Sequence, residues 1–412
     1  KMINIKPFKG FVVSPSFVRL VSSPPYDTLS SREARAIVKN NSKSFLRVIK
    51  PEADYKSDQV PDKKQLHKKA RENLENLIRK RILIQDQKPN FYIYQIYIGE
   101  HHQTGLFAAV SIDDYKNGLI KKHEHTRPHK EEDRVNNIYE TNANTGPVFL
   151  TFKNNNEFRN NLLNSMKLDP EIEFKSENGT IHRLWKISSN NLINRLIKYF
   201  HNVPALYIAD GHHRAASAAK VQRIHKENNH LHNGDEAYNY FMAVIFPDDE
   251  LRILGYNRVI KDLAGLKHSQ FLELIERNFK IKKLDKRQLP QKEHFFTMFL
   301  KNRWYQLKAR KKIISDNAIF SLDVSILQEY LLKPILKIND PRTDDRIDFV
   351  GGIRGLKELE NRCGNGLSVA FALYPVTIQQ LFRVSDQNEV MPPKSTWFEP
   401  KLQSGLVVRS LN

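Results

Sequence analysis

The sequence predicts a mixed α/β (α+β) chain of more than one domain, and three observations carry that prediction. At 412 residues the chain is longer than one hydrophobic core serves well, and 40% apolar with 27% charged residues is the balance of a globular protein. Ala205-Leu-Tyr-Ile-Ala209 is a short apolar run that reads as a buried strand, and the alanine-rich stretch from Arg214 reads as a helix. Short runs rich in β-branched and aromatic residues recur along the chain, and stretches of helical spacing stand among them.

Taken in order, Phe11-Val12-Val13 and Phe17 to Val21 are apolar runs broken by Pro7, Gly10 and Pro15. In Ser23-Pro24-Pro25-Tyr26-Asp27 two prolines fix an extended turn and place Tyr26 and Asp27 rigidly. A helix is expected from Ser30 or Ser31, with Glu33 in its first turn. Leu66, Ala70, Leu74, Leu77 and Ile78 recur at helical spacing and give an amphipathic helix to about Lys80. Phe91–Ile98 and Gly105–Ile112 read as strands of a hairpin, with His101 and His102 in the connecting turn. Leu119 to Arg134 is a polar concentration that reads as a charged loop. Thr145-Gly146-Pro147 closes it before a Val148–Leu150 strand.

Further strands are expected at 184–187, 240–246, 251–254 and 371–376. Residues 261–335 read as helix-rich, with a strand-like Trp304–Leu307. The paired glycines of Ile347 to Gly355 permit close backbone approach, and Met391 to Lys401 holds too many prolines for regular structure. Three regions result: 1–255 as an α/β catalytic region, 256–340 as a helix-rich α+β insertion or second domain, and 341–412 as a segment returning to complete the site.

No apolar run reaches the length of a membrane helix, the first residues lack a signal peptide, and Cys363 is the single cysteine. A disulfide within the chain and a multi-cysteine metal site are excluded, and a cytoplasmic setting is expected. The net charge of +20 raises the question of nucleic acid. Lys and Arg are spread along the whole chain and often stand beside Asn, as in Lys153-Asn154-Asn155-Asn156. That pattern fits a coding bias better than a basic face, and a positive field equally serves a small anionic substrate.

Between the 205–209 strand and its helix stands Asp210-Gly211-His212-His213-Arg214. A glycine turn into a helix start offers backbone N–H groups and the positive dipole end to an anion. Two imidazoles and a guanidinium add donors, so the stretch reads as a phosphate or carboxylate seat. Lys122, His123, Glu124, Thr126 and Arg134 supply a second set of acid/base and phosphate-binding types. His123 and His125 alternate, which is weak evidence for a metal pair. Lys394, Ser395 and Thr396 stand on the stiff terminal loop as a third anion-binding group. There is no Walker A sequence, GxGxxG or GxSxG.

Together these strings resemble one family. Ser-Pro-Pro-Tyr-Asp at 23–27, Lys-His-Glu-His-Thr at 122–126, Glu-Asp-Arg at 132–134, Thr-Gly-Pro at 145–147, Ala-Asp-Gly-His-His-Arg at 209–214 and the string 391–401 are similar to the domain-of-unknown-function 1015 family along nearly the whole chain. About fifteen residues around Asp210 also resemble the phosphate-binding turn of the ParB/sulfiredoxin superfamily, in which free-serine kinases carry the same Asp-Gly-His-His-Arg string. His212 stands where a sulfiredoxin has its reactive cysteine, so peroxiredoxin repair is not implied.

The resemblance implies a ParB/sulfiredoxin-like nucleotide- or phosphate-binding core with an additional α+β domain. The implied reaction is transfer of a phosphoryl group from pyrophosphate, ADP or ATP to the hydroxyl of free L-serine, with Mg²⁺ as cofactor. Gly211, His212, His213 and Arg214 would hold the donor, with His213 also counted among the catalytic groups beside Glu124 and Asp210, and with Lys122, His123, Thr126, Arg134, Lys394, Ser395 and Thr396 around its phosphates. Asp210 would orient the acceptor or bind Mg²⁺, and Glu124, the one carboxylate inside the Lys-His-Glu-His-Thr string, would be the base. Tyr26 and Asp27 would face the substrate. Two other readings stand beside this one: a ParB-like nucleotide-switched DNA-binding protein, and an anion-binding regulator without chemistry.

Overall fold

The structure, a computed structural model, describes residues 2–154 and 157–412; Asn155 and Asn156 of the Lys-Asn run lie outside the described residues. It is a mixed α/β chain that divides into two units. The first comprises residues 1–121, 126–251 and 400–412, and the second 122–125 and 252–399.

The first unit is built on a sheet that has nine strands among the described residues. In spatial order these are Ile120–Lys121, Leu206–Asp210, Val148–Phe152, Tyr240–Pro247, His101–Ser111, Phe91–Ile98, Ile181–Ile187 and Ile172–Lys175, with Ile5–Lys6 paired beside His101–Ser111. Leu206–Asp210 runs parallel to Ile120–Lys121 and antiparallel to Val148–Phe152, so both faces of that region must be covered. On one face Leu106, Ala108, Val110, Leu150, Ile208 and Ile245 join Phe152, Phe158 and Phe200 in the main core. A smaller antiparallel sheet of Leu83–Gln85, Gly10–Val13, Val407–Ser410 and Ala143–Asn144 ties the chain's last strand into the same unit.

Local signals place most elements. The helix Ser31–Asn40 starts at Ser30, whose hydroxyl accepts from the Glu33 N–H while the Glu33 carboxylate accepts from the Ser30 N–H. The amphipathic helix is Lys63–Arg79, capped by Asp62. Two expectations change. The hairpin turn is only Gly99-Glu100, with Gly99 at φ +60°, so His101 and His102 lie on the strand rather than in the loop. The polar stretch after Lys121 is a loop only as far as Arg127, because Pro128 at the first helical position opens the helix Pro128–Thr141.

In the second unit six strands form one sheet, in the order Phe279–Leu284, Arg303–Ala309, Phe295–Leu300, Val369–Leu373, Tyr256–Ile260 and Ile347–Gly351. Every pairing is antiparallel. The sheet thus draws on both 256–340 and 341–412. Its middle corrects the helix-rich expectation for 261–335. Lys280-Ile281-Lys282 alternates with period two, and its lysines stand on an edge strand. The glycines near 351 act as expected: a Cβ on Gly351 would lie 2.7 Å from the Trp397 ring.

One buried group sets an acid limit on the first unit. His182, 1% exposed, stacks between Tyr94 and Phe174. Its Nδ1 pairs with the Tyr94 hydroxyl at 2.8 Å and its Nε2 with Ser176 Oγ at 3.3 Å. Burial pushes its pKa down to about 3, so the folded ring stays neutral where the unfolded one, at about 6.5, binds a proton. This stability is fully present above about pH 6.5 and is lost as pH falls towards 3, at up to about 1.4 kcal/mol per pH unit. Urea unfolding from pH 7.5 to 4.5 should show that fall, and His182→Gln should flatten it by about one proton. An undiminished slope in the variant would assign the acid sensitivity to other groups.

Candidate functional site

The strand Leu206–Asp210 ends beside Val148–Phe152, where Asp210 is paired with Phe149 across a register shift. Gly211 then takes φ +96°, ψ 28° and caps the helix His212–Asn228. A side chain at Gly211 would be strained by that φ, and its Cβ would stand 3.4 Å from Val148 Cα. The left-handed turn therefore requires glycine. The helix it opens has 17 residues and no acid in its first turn, which holds His212, His213 and Arg214. Its positive end thus lies beside the Arg214 guanidinium and the carboxylate of Asp210.

Asp210 is held on both oxygens. Oδ1 accepts the Gly211 N–H at 2.8 Å, and Oδ2 accepts from Lys401 Nζ at 2.7 Å. Burial pushes the carboxyl up, but the charge and hydrogen bond of Lys401, with Arg214 and His212 behind them, hold it far below the usual carboxylate range. Asp210 is an anion at neutral pH. Lys401 closes the string 391–401, beyond the Lys394-Ser395-Thr396 group that stands out in the sequence. Its partner lies 191 residues away, which no local pattern reveals.

Arg214 lies on the Thr145-Gly146-Pro147 turn. Its Nη1 donates to the Pro147 carbonyl at 2.6 Å, and a Cβ on Gly146 would come within 3.5 Å of the guanidinium carbon. Its guanidinium also stands 5.7 Å from the centre of the Tyr26 ring, and that of Arg134 stands 4.3 Å from it. Burial first, then the charge of Asp27, raise the Tyr26 hydroxyl to about 12, against the pull of both arginines. The two cations are not equivalent. Arg134 is engaged by Asp133 at 2.6 Å and by the Ile49 carbonyl at 3.1 Å, whereas no carboxylate pairs with Arg214 among the described residues. Tyr26, Arg134, Thr145, Gly146, Arg214 and Ser404 line a narrow cavity there, and Asp27 is exposed.

Thr126 and His213 belong to an adjoining network. The Thr126 hydroxyl donates to Glu131 Oε2, and Lys220 Nζ stands 2.6 Å from Glu131 Oε1. Burial raises the Glu131 carboxyl, but the bonds from Lys220 and Thr126 outweigh it and leave the pKa lowered. His213 Nε2 accepts the Arg127 N–H at 3.0 Å, so that nitrogen carries no proton. His212 is buried. In the sequence Glu131 reads only as one acid in a charged run.

Lys122, His123 and Glu124 belong to the second unit. There His123 is buried, its Nε2 lies 3.2 Å from Thr396 Oγ1, and its carbonyl accepts the Met391 N–H at 2.8 Å. Two strings far apart in sequence are thereby joined. Lys394 takes φ +60°, its Nζ lies over the Tyr256 ring at 5.5 Å, and buried Arg258 donates to its carbonyl at 3.0 Å. Burial draws the Arg258 pKa down to about 10. Ser395 is buried and its hydroxyl donates to the Pro392 carbonyl at 2.6 Å. Lys122 is exposed and Glu124 half-buried.

Among the described residues no group of three or more His, Cys, Asp or Glu side chains could hold a metal. Asp210 offers one carboxylate, already paired with Lys401. One paired carboxylate is too few protein ligands for a divalent cation held by side chains alone.

No helix among the described residues is long and apolar enough to cross a membrane. No curated protein matches the chain. Among solved structures, a free serine kinase in complex with AMP is similar with a TM-score of 0.36 at 11% identity, covering 73% of this chain and 92% of that one. A conserved hypothetical protein from Pyrococcus furiosus has a TM-score of 0.34 at 13% identity, covering 74% and 95%. SbnI from Staphylococcus aureus, truncated at its C-terminus, has a TM-score of 0.37 at 11% identity, covering 74% and 87%. The family described as "Protein of unknown function (DUF1015)" matches residues 5–325, and the chain belongs to that family.

Proposed function

We propose that the chain is a small-molecule phosphotransferase that moves a phosphoryl group from pyrophosphate, ADP or ATP to the hydroxyl of free L-serine. The observation that carries this reading is the turn at 210–214: a left-handed glycine at the start of a long helix, and an arginine that forms no ion pair with a carboxylate among the described residues. Phosphoryl transfer needs positioning and charge neutralisation more than covalent help from the protein, and such a turn supplies both. Serine as acceptor rests on the residue-by-residue match of Asp-Gly-His-His-Arg to the free-serine-kinase string.

In this reading Arg214 and the helix start hold the donor's phosphates. Asp210, kept ionised by Lys401, orients the acceptor or adds an oxygen to Mg²⁺, which would neutralise phosphate charge. Glu124 takes the proton of the serine hydroxyl as the new O–P bond forms and the leaving phosphate or nucleotide departs with the bonding electrons. The reverse reaction would return the phosphoryl group from phosphoserine.

Incubation with L-serine, Mg²⁺ and each donor in turn, read by mass spectrometry for phosphoserine, tests this directly. Product with at least one donor is expected, and none with any donor would end the kinase reading. Glu124→Gln should lower turnover about 100-fold or more with donor affinity changed less than about twofold. Retained turnover would move the base elsewhere.

A further inference from the structure

The first unit carries a second concentration of positive charge that the turn at 210–214 does not use. A cleft of about 310 Å³ is lined by Lys43, Arg47, Lys69 and Lys80, with Ser42 and Asn76 among its polar neighbours. No carboxylate lines it. The loop after the helix Ser31–Asn40 supplies Lys43, the short helix Leu46–Ile49 supplies Arg47, and the helix Lys63–Arg79 supplies Lys69 and, just past its end, Lys80.

Ordinary structural duties account for only part of this charge. Arg47 Nη1 pairs with Asp54 at 2.7 Å and Nη2 donates to the Val38 carbonyl at 3.1 Å, but its Nε is buried with no hydrogen-bond partner. A buried, unmatched donor on a cation is costly unless a ligand or water meets it. Lys69 lies 3.4 Å from Glu72, a partly exposed pair worth little in water. Lys43 and Lys80 pair with no carboxylate among the described residues. Lys80 follows a helix C-terminus, where a cation is favoured, but that does not explain why three more cations share its cleft. Lys43 and Lys80 therefore add positive charge that no carboxylate among the described residues offsets, beside the Arg47–Asp54 and Lys69–Glu72 pairs, and the arrangement is relieved when an anion enters.

We propose that this cleft binds a small polyphosphate anion, as a site additional to the turn at 210–214. Two lysines without a carboxylate partner among the described residues, Lys43 and Lys80, with the unmatched Arg47 Nε, offer several separated donors, which fits an anion with more than one phosphate group. The cleft's size is that of a small-ligand pocket.

Tripolyphosphate is the probe, and lysine acetylation followed by peptide mass spectrometry reads the site. In the unaltered 412-residue chain tripolyphosphate should slow labelling of Lys43, Lys69 and Lys80 at least about threefold, while Lys267 in the second unit is unaffected. The double variant Lys43→Gln/Lys80→Gln should melt within a few degrees of the wild type yet bind tripolyphosphate at this site at least about tenfold more weakly, since each lost charged contact is worth about 1.5 kcal/mol or more. Arg214→Ala should leave the protection intact, which separates this site from the one proposed for the donor. Equal protection at all surface lysines, none at these three, or undiminished protection of Lys69 in the double variant would overturn the proposal. So would protection of the three by an RNA oligomer alone.

Discussion

Arg214→Ala should weaken binding of the phosphate donor by about 10–100-fold and lower kcat/KM by about 1000-fold. The guanidinium has a bond to the Pro147 carbonyl and stands over the Tyr26 ring, which fixes its plane, while no carboxylate among the described residues forms an ion pair with it. A pre-placed cation makes charge-assisted bonds worth about 1.5–3 kcal/mol each, or one to two orders of magnitude in affinity. A further contribution is expected as charge spreads over the transferring group. Arg214→Lys should recover only part, because an ammonium cannot keep the Pro147 bond while presenting a planar fork to phosphate. Calorimetry gives the affinity and steady-state kinetics the rest. Unchanged donor affinity in Arg214→Ala would place the donor elsewhere.

Asp210→Asn should reduce turnover by about three orders of magnitude and also destabilise the chain. The two effects can be separated. Replacing the carboxylate leaves Lys401 Nζ, 17% exposed as a side chain, without its counter-ion. Breaking a buried pair costs about 3–5 kcal/mol, but the Asp210 side chain is 35% exposed, so solvent screening reduces the loss to about 1–2 kcal/mol. In Asp210→Asn/Lys401→Met the unpaired cation is gone, and much of that stability should return while turnover stays low. Lys401→Met alone frees the Asp210 carboxyl to rise towards its ordinary pKa, so the acid limb of the pH–rate profile should move up. The double variant needs both denaturation and kinetics, because activity returning along with stability would make Asp210 a purely structural residue.

The sequence made the architecture legible where local rules govern. The strand before Asp210, the helix after it, the capped helix at Ser30 and the glycine facing Trp397 all follow from period, capping and a missing Cβ atom. The helix at Pro128 escaped because its residues are nearly all polar, although proline at its first position and Glu131 in its first turn were visible signals. The edge strand at 279–284 is not legible as a strand because lysines on an exposed strand resemble those on an exposed helix face.

At the site, residue types were readable and partnerships were not. Asp210 and Arg214 stood out as chemistry, but Lys401 as the counter-ion of Asp210 and Thr396 as the neighbour of His123 are contacts across 191 and 273 residues. Such pairs are set by sheet order and by the return of the chain's last residues, which no short window contains. Glu131 shows the converse: a charged run on paper holds a buried carboxylate tied to Lys220 and Thr126.

The most direct measurement is a crystal structure of the chain with pyrophosphate and L-serine. One phosphate of the donor should sit at the start of the helix His212–Asn228, within hydrogen-bonding distance of the Arg214 guanidinium. A donor bound away from that helix start, with Arg214 making no contact to it, would contradict the assignment of this turn as the seat of phosphoryl transfer.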